Sequence, residues 1–188
     1  MQNTADKIKK RDKPNDVFYT PIPLVKTHLE FIRYEIKDGD SILDPFFGSG
    51  NYYNLFPDYY PNNNYDFTEI VLNKDFFDYD KQVDVFVSNP PYSIFDKVLK
   101  KSVELNPVII SYLIGLHNLT TKRIEYMNKN GYYLTKIKIL KVFKWFGMSA
   151  IVVFKRGQDG INCMDFDRIV YRWYLYFPGH RCRVGSKM

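Results

Sequence analysis

Two short apolar runs each lead directly into a loop built from residues that regular strands and helices avoid. Ser41-Ile-Leu-Asp44 runs into Pro-Phe-Phe-Gly-Ser-Gly50, and Val83–Ser88 runs into Asn89-Pro-Pro-Tyr92. Glycines let a backbone turn sharply and approach a ligand without a Cβ clash. Paired prolines stiffen a loop and remove two backbone donors. In an open α/β sheet, ligands bind at the carboxyl ends of the strands. Both loops are therefore candidate site loops. The first is not a phosphate loop, because the Gly-Lys-Ser/Thr ending is absent.

The rest of the chain supplies the sheet that such loops require. Leu24, Val25, Leu29, Ile32 and Ile36 recur at helical spacing, predicting a helix over 24–36 in which His28 is a surface residue. Lys37–Asp40 is a turn. Residues 51–63 are rich in Tyr, Asn and Pro, so any helix there is short. Strands are expected near 65–69, 83–88 and 108–114, with helices over 94–105 and 119–128, the second ended by Gly131. Runs 132–143 and 149–154, joined by Lys144-Trp-Phe-Gly147, read as a hairpin. Strands alternating with helices, then an antiparallel pair, predict an α/β fold with a mostly parallel sheet. Residues 155–188 give no clear pattern: 156–160 read as a loop, and 167–177 as either helix or strand.

Length and charge narrow the class. A chain of 188 residues fits one domain, and 45% apolar residues can build a core. The net charge of +6 favours a polyanionic partner. Lys9, Lys10 and Arg11 lie in a basic N-terminal segment that is either a solvated tail or a phosphate-binding arm. The loop around His117, Lys122 and Arg123 is a second candidate nucleic-acid contact. Cys163 and Cys182 have neither metal-ligand nor disulfide-framework spacing, so no metal is expected and a reducing, intracellular compartment fits. No apolar run approaches the length of a membrane span.

The second loop has a definite chemical character. Carbonyls around the prolines stay free to accept hydrogen bonds, the Asn89 amide oxygen adds another acceptor, and Tyr92 offers a flat ring. Acceptors beside an aromatic face suit an amino group on a flat heterocycle. Such an amine is a poor nucleophile because its lone pair is delocalised into the ring. Acceptors on its hydrogens localise that pair and stabilise the positive charge that develops on attack. A neutral Asn suffices, because the proton becomes acidic only after alkylation.

With both loops in hand, the chain resembles the amino-group methyltransferases of DNA, in particular the adenine-N6 type. Asp44–Gly50 is similar to their cofactor-binding motif and Asn89–Tyr92 to their catalytic Asn/Asp-Pro-Pro-Tyr motif. Asp16–Pro21, Asp66–Glu69 and Lys74–Asp78 resemble flanking motifs of the same family, so the resemblance spans about residues 16–156. It implies a Rossmann-like methyltransferase fold: a mostly parallel seven-stranded sheet, one antiparallel strand from a C-terminal hairpin, and helices on both faces. The implied cofactor is S-adenosyl-L-methionine. Asn89, Pro90, Pro91 and Tyr92 would be catalytic. Tyr19, Thr20 and Pro21 would wall the methionine side, and Asp44 would hold its positive end. Pro45, Phe46, Gly48 and Gly50 would shape the cofactor loop. Glu69 would accept from the ribose hydroxyls, Asp75 (or its neighbours Asp78 or Asp80) from the adenine amine, and Phe76 would pack on the adenine ring.

The domain plan is then a basic arm over 1–15, a catalytic domain over 16–156, and a basic, aromatic extension over 157–188. Only residues 51–88 separate the two central motifs, which leaves no room for a recognition domain. Target selectivity would come from the loop over 116–129, the tail, a second protein or a second copy of the chain. Adenine in DNA is the expected substrate. Adenine in RNA and a glutamine side chain of a protein are alternatives with the same chemistry. A non-catalytic nucleic-acid-binding subunit is an alternative of a different class.

Overall fold

The computed structural model describes residues 19–141 and 147–157, and the backbone of 163–167. Helix α1 (Ile22–Phe31) opens on Pro21 and Pro23, which suit a first turn whose N–H groups have no intrahelical acceptor. It is shorter than the 24–36 expected, because residues 32–36 form turns that carry Ile32 and Ile36 into the core outside the helix. Strand β1 (Ser41–Asp44) follows, then a 3-10 turn and a one-turn helix α2 (Phe56–Tyr59), then β2 (Asn64–Phe67). No helix joins β2 to β3 (Val85–Ser88); two 3-10 turns at Ile70–Leu72 and Phe76–Asp78 do so. Helix α3 (Phe95–Glu104) leads to β4 (Ile109–Gly115), and helix α4 (Thr121–Lys129) to β5 (Tyr132–Leu140). Thr120 caps α4, and Gly131 at φ +80° ends the turn after it.

Strand β6 (Ser149–Arg156) inserts between β4 and β5 and is antiparallel to both. A seventh strand, β7 (Cys163–Asp167), pairs in parallel with β5 at the edge. It falls in a region that the sequence left unassigned. The order is β2-β1-β3-β4-β6-β5-β7, so six strands run one way and β6 the other. This is the mostly parallel, seven-stranded sheet that the motifs implied. The N-terminal arm with Lys9, Lys10 and Arg11, the turn residues 144–146 and the segment 168–188 lie outside the described residues.

Alternation along the strands divides the core. Ile42, Val85, Val87, Ile109 and Val153 face α1 and α2, while Leu43, Phe86, Ile110, Tyr112 and Val152 face α3 and α4. All seven residues of β4 are buried, as a strand covered on both faces demands. His28 is also fully buried, which corrects its expected place on the helix surface. No described helix is long and apolar enough to cross a membrane, and no described cluster of His, Cys, Asp or Glu could hold a metal.

Candidate active site

The chain leaves β1 toward β2 on one side and later enters β3 on the other. The order therefore reverses between β1 and β3. The crevice beyond such a reversal is where open α/β sheets bind ligands. Asp44 ends β1 and Ser88 ends β3, and the Ser88 hydroxyl donates to Asp44 Oδ1 at 2.6 Å. This bond joins the roots of the glycine loop and of the Asn-Pro-Pro-Tyr loop, although 43 residues intervene in sequence.

The glycine loop is stitched to the end of β2. Thr68 N donates to Asp44 O, Phe47 N to Thr68 O, and the Thr68 hydroxyl to Pro45 O. Gly48 and Gly50 have φ of +53° and +77°, in the left-handed region that side chains disfavour. A Cβ at Gly50 would lie 2.6 Å from the Phe47 ring, so glycine is required there sterically as well. The ring of Tyr19, itself 59% exposed, covers Gly48. The Asn51 amide donates to Thr20 O at 2.8 Å and ties this entrance segment to the loop. Tyr19, Thr20, Phe46, Gly48, Tyr52 and Asn89 line a cleft. Pro21 caps α1 at its edge.

Asp44 is fully buried at the root of the glycine loop, behind the cleft lining. Its Oδ1 takes the Ser88 bond and a 3.3 Å bond from Phe46 N, while the buried Oδ2 has no partner among the described residues. Burial pushes the carboxyl up to about 7, against the opposing pull of the Ser88 bond. An unpartnered carboxylate oxygen out of water stabilises a cation placed against it.

Glu69 leaves the end of β2 and turns back over the loop. Its carboxylate accepts from Gly48 N at 2.7 Å and from Val71 N at 3.3 Å. A carboxylate offers about four acceptor positions, so Glu69 can hold the loop and still receive a ligand's hydroxyls. Asp75 caps the turn at 76–78 by accepting from Phe77 N at 2.9 Å. Phe76 is 2% exposed and packs edge-on against Phe46 and Phe86. Its ring is a core element behind the cleft, and Phe46 carries that packing forward into the lining.

In the second loop, Asn89 is half-buried with Oδ1 shielded from solvent, Pro90 is buried, and Pro91 is extended at φ −65°. The His117 ring stands perpendicular to Tyr92, centroids 6.3 Å apart. Only a glycine at 115 permits this, since a Cβ there would lie 2.6 Å from the His117 ring. Lys122 is exposed. Arg123 is held within the fold instead: it donates to Asp96 at 2.7 Å and to the backbone and side-chain oxygens of Asn118 at 2.8 and 2.9 Å. It therefore braces the loop that presents His117. Sequence reasoning also missed Ser88 and Tyr52 as members of the site.

No family model matches the chain, and no curated protein matches it by sequence. Its fold does match solved methyltransferases. A modification subunit of a putative type I restriction enzyme from Vibrio vulnificus superposes with a TM-score of 0.58 at 12% identity, over 90% of this chain and 50% of that one. The chain thus spans half the length of that subunit. A human methyltransferase 10 domain containing protein gives 0.55 at 14% identity, over 79% and 88% of the two chains. The Mtq2-Trm112 complex of E. cuniculi, which methylates a translation termination factor, gives 0.53 at 18%, over 77% and 100%. The fold is that of the Rossmann-like methyltransferases.

Glu69→Ala is expected to weaken S-adenosylmethionine binding at least tenfold, because hydrogen bonds to a charged group contribute about 1.5–3 kcal/mol each. Glu69→Gln, which keeps one acceptor oxygen, should lose less. Isothermal calorimetry on both variants measures this; wild-type affinity in Glu69→Ala would remove the carboxylate from the ligand.

Proposed function

We propose that this chain binds S-adenosylmethionine in the cleft at the β1–β3 reversal and methylates the N6 amine of adenine in DNA. The observation that carries the reading is the convergence of the glycine loop and the Asn-Pro-Pro-Tyr loop, rooted together by the Ser88–Asp44 bond. The residues fit the cofactor's chemistry. The unpartnered Asp44 Oδ2 suits the methionine ammonium, Glu69 the ribose hydroxyls, and Asp75 the adenine amine. Tyr19, Thr20 and Pro21 border the methionine end, while Pro45, Phe46, Gly48 and Gly50 shape the loop over it.

Bound S-adenosylmethionine supplies an electrophilic methyl group. The chain's own part is to make the acceptor amine nucleophilic. Asn89 Oδ1 and the carbonyls beside Pro90 and Pro91 accept from the amine hydrogens and stabilise the positive charge that develops. Tyr92 stacks on the base, with His117 at its edge. No strong base is needed.

The net charge of +6 and the Asp-Pro-Phe-Phe-Gly-Ser-Gly loop favour nucleic acid over protein, and likeness to a restriction modification subunit favours DNA over RNA. Lys9, Lys10, Arg11 and Lys122 are the proposed phosphate contacts, and a second protein or a second copy of the chain supplies target recognition. The test is transfer of labelled methyl from S-adenosylmethionine to DNA, RNA and protein, followed by nucleoside and amino-acid analysis. N6-methyladenine in DNA is expected. Label confined to RNA or to glutamine would move the substrate and keep the chemistry, and no transfer to any of them would overturn the reading.

A further inference from the structure

His28 is a titratable side chain with no part in the chemistry described so far, and it is fully buried beneath the cleft. It lies on the face of α1 that packs against the sheet, at i+4 from Leu24 and i−4 from Ile32. Its two ring nitrogens reach opposite ways. Nδ1 is 2.8 Å from the Tyr52 hydroxyl, and Nε2 is 2.7 Å from the Ser111 hydroxyl on the central strand β4. The His28 and Tyr52 rings also meet edge to face at 5.4 Å.

Tyr52 is the link to the site. It is buried, it forms part of the cleft lining beside Thr20, and its hydroxyl lies within the field of the Asp44 carboxylate and of Tyr92. A chain of hydrogen bonds therefore runs from Ser111 in the sheet, through His28, to Tyr52 in the cleft wall. Burial holds the imidazole pKa down at about 3, so the ring is neutral at ordinary pH. A neutral imidazole donates from one nitrogen and accepts at the other. It can thus bond two hydroxyls at once without adding charge beside Asp44.

We infer that His28 is a positioning residue of the cofactor cleft: by bonding Ser111 and Tyr52 together it fixes the Tyr52 hydroxyl in the wall that receives the methionine end. The inference rests on the cofactor reading proposed above. A leucine would fill the space yet leave the Tyr52 and Ser111 hydroxyls without a shared partner, and unpaired buried hydroxyls are costly. Tyr52 would then turn away from its place in the wall. The consequence falls on cofactor binding and spares the transfer step, because the proposed acceptors of the amine hydrogens belong to the separate loop at 89–92 that follows β3.

The test uses the full chain and S-adenosylmethionine itself. His28→Leu should weaken cofactor binding about tenfold by calorimetry, with the single-turnover rate at saturating cofactor close to wild type. His28→Gln, which keeps a donor and an acceptor, should recover part of the loss. Tyr52→Phe should weaken binding similarly, and His28→Leu combined with Tyr52→Phe should be no weaker than the worse single variant, as expected for residues acting as one unit. A merely structural role would lower the melting temperature without that coupling in affinity. If His28→Leu does not fold, Tyr52→Phe and Ser111→Ala carry the test: each should raise the KM for S-adenosylmethionine and spare kcat. Wild-type affinity in folded variants, or strictly additive losses, would overturn the inference. A wild-type chain that binds no S-adenosylmethionine would overturn the cofactor reading itself, and this inference with it.

Discussion

On the proposed function, Asn89→Ala is expected to lose methyl transfer to adenine by about 10²–10³-fold at saturating cofactor, the scale that follows when one preorganised partner of the developing charge is removed. Cofactor affinity should change little, since the groups proposed to meet the ammonium and the ribose hydroxyls are Asp44 at the end of β1 and Glu69 at the start of the 3-10 turn after β2. The asymmetry follows from when the interaction is made. In the proposed reaction the Asn89 oxygen would bond a neutral amine weakly in the ground state and an increasingly positive nitrogen strongly in the transition state, and only the difference accelerates the reaction. Tyr92→Phe keeps the stacking face and should lose less than Asn89→Ala. An adenine inside a duplex cannot reach a half-buried Asn89, so the base must be flipped out at a cost of a few kcal/mol. A duplex with a mismatch opposite the target should therefore bind more tightly than a paired one. Single-turnover assays on both variants and both duplexes measure these effects. Transfer at the wild-type rate by Asn89→Ala would show that the acceptor amine lies elsewhere.

Much of this site was legible because its loops are punctuated by residues that few other structures tolerate. Glycines needing positive φ and a Pro-Pro pair mark where strands end, so β1 was expected at 41–44 and is found there. The β-branched run before Gly115 marked the strand buried on both faces for the same kind of reason. What stayed hidden depends on pairs far apart in sequence. The partners of His28 are 24 and 83 residues away, and no local pattern announces them. Its position on the Leu24–Ile32 stripe did signal burial, but a polar side chain on an apolar stripe reads as surface until its partners are known. Arg123 shows the converse. A basic residue in a loop beside the site suggests a phosphate contact, and only the fold reveals that Asp96 and Asn118 already occupy its donors. β7 was missed because its five residues gain strand geometry from the edge of β5 rather than from propensity of their own.

The second large effect expected on the proposed reading is a pH dependence of cofactor binding centred on Asp44. In the protein without cofactor, burial raises this carboxyl to about 7. Holding the methionine ammonium requires the ionised form, so below pH 7 each unit of acidification costs about tenfold in affinity. S-adenosylmethionine should therefore bind about fiftyfold more weakly at pH 5 than at pH 7, where the carboxyl is half ionised. The linkage to stability has the opposite sign. A carboxyl whose folded pKa is raised binds its proton more tightly when folded. Its contribution to stability is fully present below the unfolded pKa near 3.8 and is lost as pH rises through about 7. His28 acts the other way: its lowered pKa gives stability that is present above 6.5 and lost as pH falls toward about 3. The cofactor-free protein thus gains from Asp44, and loses from His28, across the range in which binding fails. Asp44→Asn separates these effects, because it removes the titration and keeps a side chain that can accept the Ser88 bond. Its cofactor affinity should be low and flat from pH 5 to 7, while its stability should no longer carry the fall between about 4 and 7. Calorimetric titrations and chemical denaturation of wild type and Asp44→Asn at several pH values give both curves. An affinity for S-adenosylmethionine in the wild type that does not change between pH 5 and 7 would exclude Asp44 as the group that receives the ammonium.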